Sequence, residues 1–233
     1  DGTLRAPSLT DGSLLWRVGS RPGFLAARKD LLVAREADGT IWGIDPATGS
    51  ARWKVESGVG GTLAPVFDGD RLVVAGRGLA TIDATRGAGV WSGPGDAVAS
   101  APPTPSGPCL LVPEEGGTLR CREPGTGNSL WTWASGGPLY AGPVVDADGH
   151  VRLGTANRAI VGHDLKKGHR QWRWKLGADV RTRAALLGKD VIFASHEAVI
   201  YALRRGGGNL SWRATLPSRP LAAPGLLGEG VIV

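Results

Sequence analysis

Short apolar runs and alternating stretches, separated by polar turns, follow one another along the chain without helical spacing. The pattern is clearest before Trp53. Leu31-Leu32-Val33-Ala34 is a short apolar run, Arg35-Glu36-Ala37-Asp38-Gly39 reads as a polar turn, and Thr40-Ile41-Trp42-Gly43-Ile44 alternates as a half-buried strand does. Asp45-Pro46-Ala47-Thr48-Gly49 turns again, and Ser50-Ala51-Arg52-Trp53-Lys54-Val55 completes an antiparallel sheet. A strand of small residues precedes each such unit, as in Thr62-Leu63-Ala64-Pro65-Val66 and Tyr140-Ala141-Gly142-Pro143-Val144. The pattern predicts four strands per unit and no helix, since 37 Gly and 16 Pro would break most candidate helices.

The unit repeats. Trp16, Trp53, Trp91, Trp131, Trp172 and Trp212 recur at intervals of 37, 38, 40, 41 and 40 residues, each with a glycine four positions earlier: Gly12, Gly49, Gly87, Gly127, Gly168 and Gly208. A period near 40 built from short strands predicts an all-β fold, a β-propeller in which each repeat is one four-stranded blade. The glycine suits a positive φ at the end of a tight hairpin. Asp45, Asp83 and Asp164 open that turn, where a carboxylate can bond backbone amides two residues on. The tryptophan is large enough to bridge to the next blade.

Counting from Trp212 through Val233 and on from Asp1 to Trp16 gives 37 residues, an ordinary repeat. The C-terminal segments read as the first two strands of a blade, and the N-terminal ones as the third and fourth. The expectation is therefore one monomeric six-bladed domain over 1–233. Its blades would be 23–55, 60–93, 98–133, 138–174, 179–214, and 219–233 plus 1–18. A sheared-off piece of a larger ring, for example one of eight blades, is the alternative.

At 233 residues and 42% hydrophobic content the chain can bury a sizeable interior. No apolar run approaches the roughly 18 to 20 residues that span a bilayer. The chain starts within a blade and has no Met, so a signal or anchor removed from it is compatible with the sequence. Net charge is +6 and the excess is local. Arg152, Arg158, Lys166, Lys167, Arg170, Arg173, Lys175, Arg181, Arg183 and Lys189 face only Asp164, Asp179 and Asp190 in the same stretch. That basic sector reads either as a solvated face or as a docking surface for an acidic protein, anionic lipid or nucleic acid. No stacking aromatics interleave with the cations in a nucleic-acid-binding module, which disfavours nucleic acid as a partner.

The two cysteines flank a hairpin. With 113–117 as its loop, Val112 would pair with Thr118 and Cys109 would stand opposite Cys121, close enough for a disulfide. A bridge implies an oxidising compartment; the alternative is two buried free thiols in a reducing cytoplasm.

The stretch Ile44-Asp45-Pro46-Ala47-Thr48-Gly49-Ser50-Ala51-Arg52-Trp53 resembles the tryptophan-docking repeat of quinoprotein-type propellers. Those include pyrroloquinoline-quinone-dependent alcohol dehydrogenases and a non-catalytic, BamB-like branch. The resemblance covers the whole chain through its six copies, and it specifies a blade type more than an activity. Several copies depart from it: Ser8, Glu123 and Arg204 stand at the aspartate position. The dehydrogenases hold their quinone against adjacent cysteines and use calcium, whereas Cys109 and Cys121 are twelve apart, so no quinone or calcium ligand is carried over. The BamB-like propeller has eight blades, against six repeats here.

Catalytic chemistry is not legible. His163 and His169 bracket a turn beside Asp164 and read as a turn and a surface histidine, not a zinc set. Asp146-Ala147-Asp148-Gly149 lacks the remaining ligands of a calcium loop and reads as a hairpin turn. Asp68-Gly69-Asp70 and Glu114-Glu115 read as polar hairpin tips. One break in the repeat stands out. Eleven residues after the tryptophan, five units carry Ala27, Ala64, Pro102, Gly142 and Ala223, but the fifth blade has Arg183, with Arg181 two residues earlier on the same strand face. With Arg21 and Arg219 in neighbouring loops, these suggest a basic funnel. The sequence is read as a non-catalytic, cofactor-free scaffold for protein partners outside the cytoplasm, with no metal site. A ligand-binding or enzymatic propeller using the funnel is the alternative.

Overall fold

The computed structural model describes residues 3–19, 22–227 and 230–232, and every regular element among them is a strand. The first sheet pairs β1 (Leu4–Pro7) with β2 (Leu14–Val18). The second contains β3 (Pro22–Arg28), β4 (Leu31–Glu36), β5 (Thr40–Ile44) and β6 (Ala51–Glu56). The third contains β7 (Val66–Asp68), β8 (Arg71–Asp83) and β9 (Gly89–Val98). The fourth holds β10 (Thr104–Ser106), β11 (Cys109–Glu114), β12 (Thr118–Arg122) and β13 (Ser129–Ala134). The fifth holds β14 (Val144–Val145), β15 (His150–Thr155), β16 (Ala159–Asp164) and β17 (Arg170–Lys175). The sixth holds β18 (Ala185–Leu187), β19 (Asp190–Ser195), β20 (Val199–Arg204) and β21 (Leu210–Thr215); β22 (Gly225–Leu227) and β23 (Gly230–Ile232) pair alone. Within each sheet, strands adjacent in sequence pair antiparallel. By compactness the chain divides into residues 1–102 with 125–127, and residues 103–124 with 128–233.

The third sheet shows how a meander survives a shortened turn. Ala84 N–H donates to Asp70 C=O at 2.9 Å, so the two ends of β8 lie side by side and the strand doubles back on itself. The bend falls at Gly76-Arg77-Gly78, where Gly78 has φ 115°. A Cβ on Gly76 would run into the Gly60 carbonyl, so only glycine fits the close approach.

Except for β3, which begins at Pro22, the innermost strands start later than the sequence suggests. The segments 62–65 and 140–143 lie outside the ladders, and β7, β10, β14 and β22 begin immediately after Pro65, Pro103, Pro143 and Pro224. Proline has no N–H to give to a ladder, so regular pairing begins one residue beyond it. β18 also begins late, after Ala184 and without a proline, so Arg181 and Arg183 precede it and do not share a strand face.

Middle strands are apolar along their length because both faces are covered, as in β11, where all six residues are buried. In the first unit, Leu31, Val33 and Ile41 of the second sheet pack with Leu72, Val74 and Ile82 of the third. In the second unit, Leu111 and Leu119 of the fourth sheet pack with Val151, Leu153 and Val161 of the fifth; Ile160 then joins Val191, Phe193 and Leu203 of the sixth. Within each unit the core thus sits between consecutive sheets. The outer strands β6, β13 and β17 alternate half-buried with exposed residues.

Candidate interaction surface

The docking tryptophans are held by two different small residues. In its own sheet each stands opposite one: Ala6 and Trp16, Gly43 and Trp53, Thr81 and Trp91, Cys121 and Trp131, Gly162 and Trp172, Ala202 and Trp212. The register shifts directly after each of these pairs, so the residue before the tryptophan is bulged out. On its other side the ring covers the glycine of the following repeat. A Cβ on Gly49, Gly87 or Gly127 would meet Trp16, Trp53 or Trp91 at 2.7, 2.7 and 2.6 Å, and Gly168 and Gly208 stand in the same relation to Trp131 and Trp172. Those five glycines also have φ between 68° and 76°. Both steric room and backbone sign therefore exclude a side chain there.

Indole N–H groups complete the docking. Trp16 donates to Pro46 C=O at 2.9 Å, Trp53 to Ala84 C=O at 3.0 Å and Trp131 to Leu165 C=O at 2.8 Å. The equivalent acceptor for Trp172 is the carbonyl of Arg205, and there Arg152 takes it instead. Its guanidinium lies 5.1 Å from the Trp172 ring, and Trp172 Nε1 has no partner. Arg152 is fully buried, so its charge does not belong to the surface of the basic sector, and desolvation lowers its pKa to about 10.

Three further polar residues lie inside against expectation. Arg35 is not in a turn but fully buried at the end of β4, where it donates to the carbonyls of Leu63, Ala75 and Val59 at 2.7, 2.9 and 2.8 Å. Backbone oxygens replace a carboxylate partner, and burial holds its pKa below the usual arginine range. Glu114 is not a hairpin tip: it is buried and accepts Arg120 Nε and Nη2 at 2.6 and 3.0 Å, which raises the Arg120 pKa. His163 is buried, while His169 is exposed.

Cys109 and Cys121 are joined by a disulfide, with Cα atoms 5.4 Å apart. The register differs from expectation. Glu114 pairs with Thr118, so the loop is only 115–117, and Leu111 stands opposite Cys121. The bridge therefore runs diagonally across the hairpin.

Of the arginines assigned to a funnel, Arg21 lies outside the described residues. Arg181 is exposed, 3.4 Å from an Asp179 carboxylate oxygen and 4.8 Å from the centre of the Tyr140 ring. Arg183 keeps an exposed flank, but its Nε donates to Pro143 C=O at 3.2 Å and desolvation of the guanidinium lowers its pKa. Arg219 is exposed between Ser218 and Pro220. Tyr140, Arg181 and Leu221 occupy equivalent places, nine residues after Trp131, Trp172 and Trp212, and all three are exposed. Sequence reading passed over Tyr140 and Leu221; the constant offset from the tryptophan was the available signal.

Asp146, Asp148 and His150 bring their ligand atoms within 4.8 Å of one another. Asp146 is already committed there. Its Oδ1 accepts the N–H groups of Asp148 and His150 at 3.1 and 2.9 Å, and its Oδ2 lies 3.0 Å from His150 Nδ1. These bonds make the group a hairpin turn.

The chain matches the family described as outer membrane protein assembly factor BamB over residues 1–104 and 79–225. Among curated protein sequences no significant match is found. Among solved structures, BamB from Moraxella catarrhalis is similar with a TM-score of 0.79 at 20% identity, over 89% of this chain and 67% of that one. Quinohemoprotein alcohol dehydrogenase from Comamonas testosteroni gives a TM-score of 0.69 at 13% identity, over 82% of this chain and 42% of that one. The computationally designed Ika8 protein gives 0.62 at 16% identity, over 99% and 86%. At such identities the likeness shows the fold: an all-β propeller type built of four-stranded antiparallel blades.

Proposed function

The chain belongs to the family of the outer membrane protein assembly factor BamB, and from that premise we propose that it is a non-catalytic propeller serving as a rigid platform for protein binding in the cell envelope. One observation carries the reading: Tyr140, Arg181 and Leu221 are presented to solvent from equivalent loops of consecutive repeats in one compact unit. Leu221 is 98% exposed, and Tyr140 supports the Arg181 guanidinium from below. Aromatic and arginine side chains dominate the energetics of protein interfaces, and their exposure contributes nothing to the core of the unit. Arg183 and Arg219 extend the surface with positive charge, which suits an acidic partner. The Cys109–Cys121 bridge supports an extracytoplasmic location. The twelve-residue spacing of those cysteines, and their bonding to each other, supports a reading without quinone chemistry.

A photo-crosslinking residue at Tyr140 tests the platform. In cells it should capture an envelope protein that the same probe at exposed Thr132, on β13, does not. The triple variant Tyr140→Ala, Arg181→Ala, Leu221→Ala should weaken the purified complex at least tenfold, about 1.4 kcal/mol. An unchanged Kd would remove this surface from the function.

A further inference from the structure

We propose that β17, the outer edge of the fifth sheet, docks an extended acidic segment of a protein partner. The proposal rests on the protein-binding reading above and assigns a second, chemically distinct contact.

β17 is the last strand in its sheet, so one row of its backbone N–H and C=O groups has no ladder partner. Unpaired edges normally invite another strand, and proteins commonly guard them with charge. Other outer strands of the chain are weakly charged or internally neutralised. β13 carries no charge and β21 a single arginine. On β6, Arg52 pairs with Asp45 at 2.5 Å and Lys54 lies 4.6 Å from the Trp42 ring.

β17 differs. Trp172 and Trp174 face the packed side, so Arg173 and Lys175 project from the opposite face. Arg158 lies in the hairpin that leads into β16, and Lys166, Lys167 and Arg170 lie in and beyond the turn before β17. All six cations are exposed, and among the described residues none has a carboxylate within 4 Å. Asp164, the sole carboxylate between Arg158 and Lys175, is engaged with its own turn. It accepts the N–H groups of Lys167 and His169 at 2.7 and 2.9 Å.

Arg170, Arg173 and Lys175 thus space along a strand about 20 Å long, with Arg158 in the turn near one end and Lys166 and Lys167 in the turn near the other. A linear cation array beside an unsatisfied backbone edge complements one partner shape well: an extended chain with acidic side chains, which would offer both charge and main-chain hydrogen bonds. A flat anionic membrane would answer the charge but offer no strand to pair with the backbone edge.

The test uses a fluorescent ten-residue peptide of alternating Glu and Thr, and the purified chain. Wild type should bind it, and raising salt from 50 to 200 mM should weaken the complex. The variant Arg170→Gln, Arg173→Gln, Lys175→Gln should raise Kd at least fivefold with an unchanged circular dichroism spectrum. The reversed variant Arg173→Glu, Lys175→Glu should likewise bind the Glu/Thr peptide at least fivefold more weakly, which keeps the proposal testable if the neutral variant misfolds. Absence of binding by wild type, or less than a fivefold change, overturns the proposal. So does equal or greater loss of binding to vesicles containing phosphatidylglycerol, or to a single-stranded DNA oligonucleotide, in the same variant. If the ridge variant behaves as wild type while the Tyr140, Arg181, Leu221 variant loses its partner, this inference falls and the platform reading stands.

Discussion

His163 is the side chain whose environment makes the strongest claim about solution behaviour. It sits on β16 with its ring centre 4.3 Å from that of Trp133, its Nδ1 bonded to Gly168 C=O at 3.0 Å and its Nε2 without a partner. Desolvation is the largest influence and lowers its pKa. The hydrogen bond to Gly168 and the charge of Asp164 oppose that shift, while Arg170 and Arg152 reinforce it. Because the folded-state pKa lies below the unfolded one, the unfolded chain binds the proton more readily. The stability contribution is complete above the unfolded value near 6.5 and is lost as pH falls through the folded value. Urea midpoints should therefore drop between pH 7.5 and pH 5, with this group adding at most about 1.4 kcal/mol per pH unit. His163→Phe should flatten the slope; an equal slope in the variant would assign the effect to other groups. Neither His163 nor Arg152 was legible as buried from the sequence. His163 precedes Asp164 at a turn, and Arg152, although flanked by Val151 and Leu153, carries a charge that assigns it to the surface; the pairing of β15 and β16 between covered faces takes both inside.

At the scale of the hairpin, the sequence was clearest where backbone conformation restricts residue choice. Glycine at the turn and tryptophan on the outer strand could be read directly, because an αL turn and a large docking ring each exclude most alternatives. The small residue ten before each tryptophan was equally regular but was hidden by its chemistry. Ala6, Gly43, Thr81, Cys121, Gly162 and Ala202 share only size. Cys121 belongs to this series, so its position under Trp131 is a packing requirement as well as a bridging one. A second series lies at the tips of the middle hairpins. Gly39 and Gly117 have φ 91° and 86°, and the equivalent positions in the next two repeats hold Arg158 and Ala198 at φ 55° and 60°. A side chain in that region is strained, so Arg158→Gly and Ala198→Gly should each stabilise by about 0.5–1 kcal/mol after the entropic cost of glycine is subtracted. Urea denaturation at neutral pH measures this. A loss of stability in both variants would show that the side chains contribute more than the strain costs.

At the scale of the whole molecule, the two terminal hairpins are the elements whose covering can be tested. β1 and β2 correspond to the last two strands of a repeat, and β22 and β23 to the first two. That correspondence allows two outcomes: the hairpins share one blade, or each belongs to a blade of a longer ring. The apolar residues they carry argue for a covering of some kind: Leu14, Leu15, Leu227 and Ile232 are all more than half exposed. Trp212 discriminates the possibilities. It is 38% exposed, whereas Trp172 is half-buried against Gly208. If the shared blade forms, the repeat assigns Trp212 to Gly12, and Trp212→Ala should destabilise the chain as much as Trp172→Ala, roughly 3–5 kcal/mol. If further blades of a longer ring supply that partner, Trp212→Ala should cost well under half of the Trp172→Ala value in this chain, because the ring then has little packing to lose. Parallel urea titrations of the two variants, followed by circular dichroism because each removes a fluorophore, separate the outcomes.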